Sequence, residues 1–140
     1  MARRRPKRSP WYAFVRWFVR VAFFQLWGGL KVVGAERIPS EGPVIFAPNH
    51  VSNLDPPIVA CAQNVRQLTF MAKEELFVPV MGPVISSLGA FKVRRGESDT
   101  ESIRRALAIL EEGRALLVFP EGARGDGKTL QPVNRGVTML

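Results

Sequence analysis

Val44-Ile-Phe-Ala-Pro-Asn-His50-Val-Ser-Asn-Leu-Asp55-Pro-Pro57 reads as a strand, a loop and the start of a helix. The apolar run 44–47 has the length and composition of a buried strand. Pro48 and the pair Pro56-Pro57 discourage helix through the loop, because proline lacks an amide donor and restricts the residue before it. The loop holds the chain's one histidine, with an acid five positions later. On a helix those side chains would point about 140° apart, at roughly 100° per residue. In a loop that curls back from a strand end they can meet. A carboxylate on one imidazole nitrogen fixes the tautomer and leaves the other nitrogen free to take a proton from a hydroxyl. A plainer reading competes with this one. Asp55 would then be a helix N-cap ahead of a proline, and His50 a turn residue.

Working outward, strands and helical pieces alternate. Leu30-Lys-Val-Val33 reads as a short strand and residues 34–43 as a turn-rich connection. Residues 56–63 read as a short helix and 67–72 as a strand. Residues 74–78 and 80–88 read as helical pieces broken by Pro79, Gly82 and Pro83, and 90–93 as a strand. The clearest helix spans 98–113. Ser98-Asp-Thr-Glu101 is a capping-box pattern, Ile103, Ala106, Leu107 and Leu110 share a face, and Gly113 closes it. Glu101 and Arg105 are spaced for a surface pair. Ala115-Leu-Leu-Val-Phe119 is a continuous apolar run, fit for the centre of a sheet. This alternation predicts an α/β fold with a mixed or mostly parallel sheet flanked by helices.

The formal charge of +8 is unevenly placed. Residues 1–31 hold eight basic residues and no acid, while residues 32–140 hold twelve of each. The high charge is therefore a property of the N-terminal segment. Arg3, Arg4, Arg5, Lys7 and Arg8 precede a stretch, residues 11–27, in which Arg16 and Arg20 are one helical turn apart. Trp11, Phe14, Phe18 and Val21 lie roughly opposite them on a helical wheel, and Gly28-Gly29 ends the pattern. Such a helix suits a membrane interface, with the basic arm held by an anionic leaflet. A spanning helix would carry both arginines through hydrocarbon. A signal peptide lacks a cleavage site here. A nucleic-acid arm would adjoin a domain with no net positive charge to continue the track, so no nucleic acid is expected as a partner. The organisation is thus residues 1–29, a basic arm and membrane-associating helix, then one domain, residues 30–140. Cys61 is the single cysteine and reads as a small buried hydrophobe. No metal and no cofactor are expected.

Three blocks occur in order: Asn49-His50 with Asp55, then Gly89-Ala-Phe-Lys-Val-Arg-Arg95, then Phe119-Pro-Glu-Gly-Ala-Arg124. Each sits at or just after a strand end, where open α/β sheets bind ligands, so His50, Arg95 and Arg124 are expected near one cleft. Together the blocks resemble those of the glycerolipid acyltransferases, most closely the 1-acyl-sn-glycerol-3-phosphate acyltransferases. The likeness runs from about Gly34 to the chain end. Ala123 departs from it, where a hydroxyl residue is usual, as does Lys92, where proline or an apolar residue is common.

The resemblance implies that Glu121, Gly122 and Arg124 lie in the acceptor site. From the residues alone, Glu121 has two open roles: holding Arg95 or Arg124, or accepting from the acceptor hydroxyl. Arg94, Arg95 and Arg124 offer forks suited to a phosphate monoester; the bland alternatives are a solvated pair, and a salt bridge from Arg124 to Glu121 or Asp126. The implied reaction moves an acyl group from acyl-CoA or acyl carrier protein to the sn-2 hydroxyl of lysophosphatidate, at the cytoplasmic face of a membrane. His50 would be the base and Asp55 its orienting acid. Alternatives are a hydrolase using Ser52, for which no Gly-x-Ser-x-Gly pattern is present, another acceptor (a different lysolipid or glycerol-3-phosphate), and a non-catalytic membrane module. Relatives usually continue into a further strand with a fourth block. The chain is therefore expected to be C-terminally incomplete, and poorly soluble and weakly active by itself. Were 115–119 the last strand of the sheet, its edge would be exposed.

Overall fold

Runs that are apolar throughout suit strands covered on both faces, which is the condition of a parallel sheet. The computed structural model describes residues 9–25, 28–93 and 100–140. The order is α1 (Pro10–Val19), β1 (Val44–Phe46), α2 (Asp55–Ala62), β2 (Leu68–Lys73), α3 (Met81–Ser87), β3 (Ala90–Val93), α4 (Thr100–Glu111) and β4 (Ala115–Leu117). Among the described residues these strands form one sheet in the order β1-β4-β2-β3. Every pairing is parallel.

The alternation of side chains along β4 sets the layers. Ala115 and Leu117 pack with Leu68, Val59 and Ala60 on the α2 side. Leu116 and Val118 pack with Phe91, Ala106 and Ile109 on the α4 side. Leu116 and Leu117 are each 1% exposed or less, so a polar substitution at either would be buried without a partner. Between α3 and β3 the chain turns at Gly89, whose φ is +100°. A Cβ there would stand 2.6 Å from the Leu68 carbonyl oxygen, so only glycine lets β3 lie down beside β2.

Three expectations need correction. Residues 30–33 form no strand, because the hydrogen-bonded neighbour of β1 is β4 and the described sheet goes no further on that side. The run 115–119 is no sheet edge, since β1 and β2 flank β4. The N-terminal helix does not stand apart from the core. Its Tyr12 is 3% exposed, and the Tyr12 hydroxyl accepts from Leu68 N–H. Ser9 N–H donates to Gln67 Oε1, and Trp11 Nε1 donates to Ser87 Oγ at 2.8 Å. Arg16 and Arg20 donate to the carbonyls of Gln63 and Cys61, at the C-terminal end of α2. The arginine face therefore meets the domain, while Trp11, Phe14, Trp17 and Phe18 are about half exposed. Beyond Val19 the helix widens into π-type turns over Arg20–Gln25, and Leu26 and Trp27 lie outside the described residues. So do Arg3, Arg4, Arg5, Lys7, Arg8 and the capping residue Ser98. Arg105 lies over the Phe91 ring at 5.0 Å, a cation–π contact in place of the pair with Glu101.

One structural residue escaped the sequence reading. Arg66 is 4% exposed, and its guanidinium donates to the carbonyls of Pro39, Gly42 and Gly113 at 2.7–3.0 Å. Gln63, 2% exposed, holds the Arg66 backbone by accepting from its N–H and donating to its carbonyl. This staple ties the turn before β1 to the turn before β4 and so sets where both strands begin. Replacing Arg66 with Met should cost about 2 kcal/mol, because the buried Gly113 carbonyl and the more exposed Pro39 and Gly42 carbonyls lose their donor. Lysine should not rescue it, since one ammonium cannot reproduce the planar fork. Chemical denaturation of the two variants checks this.

Candidate active site

His50 follows β1 by four residues, in a loop with no regular structure. The loop is held by Asp55, the first residue of α2. Its Oδ2 lies 2.8 Å from His50 Nδ1 and accepts from the N–H groups of Val51, at 2.7 Å, and Ser52, at 2.8 Å. The helix N-cap is Leu54, so the plainer reading of Asp55 as a cap does not hold. With Asp55 accepting at Nδ1, the neutral form of the ring carries its proton there and its lone pair on Nε2. The His50 ring stacks on Phe119, centroids 4.1 Å apart and planes 22° apart. Phe119 comes from just beyond β4, the strand paired with β1. The sequence places Phe119 in a block without revealing this contact, for which a neighbouring-strand assignment is the missing signal.

Burial pushes the Asp55 carboxyl upward, but the bonds from Ser52, His50 and Val51 outweigh it and leave it below its ordinary 3.8. Ser52 is a turn residue: its Oγ accepts from Leu54 N–H at 3.1 Å. Cys61 is 1% exposed, and burial pushes its thiol up despite the nearby Arg16 and Arg20. It is a core residue, with no thiolate character to offer.

The remaining residues divide. Glu121 reaches the loop: its Oε1 accepts from the His50 N–H at 3.3 Å. That contact is neither of the roles expected for it. Gly122, φ +67°, turns the chain after Pro120, and its N–H closes onto the Phe119 carbonyl. Arg124 is exposed, and the acids near it are engaged elsewhere, Glu121 with His50 and Asp126 with the Lys128 and Thr129 amides. Arg94 and Arg95 lie outside the described residues; β3, which precedes them, runs parallel to β1 and β4. A groove of about 700 Å³ lies elsewhere, between β1 and α4, lined by Val44, Ile45, Leu107, Leu110 and Leu140. Its lining also includes Glu111 and shares no residue with the loop from His50 to Asp55.

A carboxyl held below its ordinary value stabilises the fold fully above that value and ceases to do so as pH falls through the folded one. The stability gap between wild type and Asp55→Asn should therefore narrow on acidification below the ordinary 3.8. Urea titrations at stepped pH measure it. A gap that widened in acid would contradict the assignment.

Residues 29–140 match the family model described as Acyltransferase. The chain shares 36% identity over 91 residues with the lyso-ornithine lipid O-acyltransferase of Pseudomonas aeruginosa, covering 64% of this chain and 34% of that protein. It shares 29% over 114 residues with the 1-acyl-sn-glycerol-3-phosphate acyltransferase of Bacillus subtilis, covering 81% and 56%. Its fold is similar to the crystal structure of the 1-acyl-sn-glycerophosphate (LPA) acyltransferase PlsC from Thermotoga maritima. The TM-score is 0.72 at 27% identity, over 91% of this chain and 52% of that one. The chain thus spans about a third to just over half the length of these proteins. The match from Gly29 to Leu140 takes in the whole described sheet and both loops around His50, and on that ground the chain belongs to the acyltransferase family.

Proposed function

We propose that this chain carries the catalytic half of an O-acyltransferase that moves an acyl group from a thioester, acyl-CoA or acyl carrier protein, to the sn-2 hydroxyl of 1-acyl-sn-glycerol-3-phosphate. The observation that carries the reading is the 2.8 Å contact between His50 Nδ1 and Asp55 Oδ2, which leaves Nε2 as the base. Relatives named for this reaction support the acceptor class.

In the proposed step, His50 Nε2 takes the proton of the acceptor hydroxyl as its oxygen attacks the thioester carbonyl carbon. The tetrahedral intermediate collapses, the C–S bond breaks, and the imidazolium returns its proton to the departing thiolate. The ester forms with no covalent enzyme intermediate. Asp55 stabilises the imidazolium and keeps the tautomer. Arg95 and Arg124 are proposed to bind the acceptor phosphate, where a guanidinium fork matches two oxygens. The lyso-ornithine relative favours a second acceptor, a lyso-ornithine lipid.

The lipid acceptor calls for a membrane surface. Among the described residues no helix is long and apolar enough to cross a membrane. Instead α1 turns Trp11, Phe14, Trp17 and Phe18 outward with its arginines directed at α2. We assign this aromatic face, with the basic arm before it, to an anionic leaflet on the cytoplasmic side, where acyl thioesters are made.

His50→Ala should lower transfer by about 10²–10⁴ with the fold intact. In the same assay Arg124→Ala should raise the KM for lysophosphatidate and leave that for the thioester unchanged. Equal loss on both substrates would count against a phosphate role. A lysolipid panel separates the two acceptors. Vesicle binding should weaken as salt screens the basic arm. Phe14→Ala with Trp17→Ala should cut the salt-resistant part by about tenfold, a loss of roughly 1.4 kcal/mol of apolar burial. Unchanged sedimentation with neutral vesicles would remove α1 from the interface.

A further inference from the structure

The base is gripped twice. Asp55 holds it from within its own loop, and the loop that follows β4 holds it from outside. The second grip consists of three contacts to one residue. Glu121 Oε1 accepts from the His50 N–H at 3.3 Å, Gly125 N–H donates to the His50 carbonyl at 2.8 Å, and Phe119 stacks on the ring. Both backbone groups of His50 are thus bound to residues 119–125. That loop is closed on itself by Gly122 N–H to the Phe119 carbonyl, and anchored by Asn134 N–H to the Pro120 carbonyl at 2.8 Å. A side chain at position 125 would crowd the Glu121 carboxylate by a few tenths of an ångström. A Cβ there would stand 3.1 Å from Glu121 Oε2 and 3.2 Å from Gln131 Cγ.

We infer that Glu121 is a positioning residue for the base: its carboxylate, together with the Gly125 amide, locks the His50 backbone to the β4 loop and so fixes where Nε2 points. This rests on the reading of His50 as the base, and it gives Glu121 a task other than contacting the acceptor. The physical case is one of lever arms. Asp55 constrains the ring through Nδ1, but its other two bonds go to Val51 and Ser52, on one side of His50 along the chain. Without Glu121 the His50 N–H loses its acceptor, and the peptide on the other side of the base is free to tilt. An acceptor oxygen is all the role demands; a negative charge is not. Glutamine can therefore fill it, and alanine cannot.

His50 is the only histidine, so its ring nitrogens give the only imidazole signals in a ¹⁵N spectrum of the full chain. Wild type and Glu121→Gln should both show a single tautomer with the proton on Nδ1, and a His50 amide protected from hydrogen exchange. Glu121→Ala should shift both ring signals toward a tautomer mixture and expose that amide. In acyl-transfer assays Glu121→Ala should lose about tenfold or more in kcat with the acceptor KM unchanged, the cost of a misplaced base, whereas Glu121→Gln should stay within about threefold. An unprotected His50 amide in wild type, or an imidazole spectrum that Glu121→Ala leaves unchanged, overturns the inference. So does Glu121→Gln failing as badly as alanine with a raised acceptor KM, since that result places the charge on the acceptor. Should Glu121→Ala not fold, wild type and Glu121→Gln decide by amide protection. If wild type transfers no acyl group, the proposed reaction fails while the spectra still decide the positioning role.

Discussion

Pairing of β1 with β4, and not with its successor β2, is the constraint on which the site depends. Both strands are three residues long, and their register is fixed by Val44 against Ala115 and Phe46 against Leu117. The strand that follows β1 in the chain is displaced by one place, which requires α2 to carry the chain across β4. In return, the loops leaving β1 and β4 emerge side by side at the carboxyl end of the sheet, where a parallel sheet opens its ligand crevice. Residues about seventy positions apart then touch: His50 lies on Phe119, and Glu121 reaches the His50 amide.

Within that frame α2 acts as a short apolar strut with polar contacts at both ends. Its first residue, Asp55, receives donors from the His50 loop, and a carboxylate is favoured at a helix start by the backbone dipole. Its last carbonyls receive Arg16 and Arg20 from α1, the favoured charge for that end. The helix that carries the half-exposed Trp and Phe rings is thus braced against the helix that begins with Asp55. The connection is physical and short, eight residues or about 12 Å of helix.

The orientation of α1 follows from what each face can find. The guanidinium groups meet unpaired carbonyls at the end of α2, and Tyr12 finds a pocket beside Leu68. Trp11 bonds Ser87 through its indole N–H, yet it and the Phe14, Trp17 and Phe18 rings remain about half exposed. The outcome is a helix held by Tyr12 and two arginine-to-carbonyl bonds, with four large aromatic rings left about half exposed.

Much of the fold and of the site is legible in the amino-acid sequence. The α/β class follows from the apolar runs 44–47, 67–72, 90–93 and 115–119, all of which contribute strands, and from the helix over Thr100–Glu111. The meeting of His50 with Asp55 is legible because it is local: proline boundaries and a five-residue spacing restrict the loop to few shapes. The faces of α1 are legible from periodicity too. What each face meets is not, nor is Glu121 as a grip on His50, nor Arg66 under three carbonyls, nor the absence of a strand at 30–33. Those outcomes depend on strand order, and a short apolar run carries no mark of which neighbour it will pair with. Sequence alone therefore determined the local contact, His50 against Asp55 within one loop. The tertiary structure decided which distant loop would hold His50, because only the completed sheet brings the ends of β1 and β4 together.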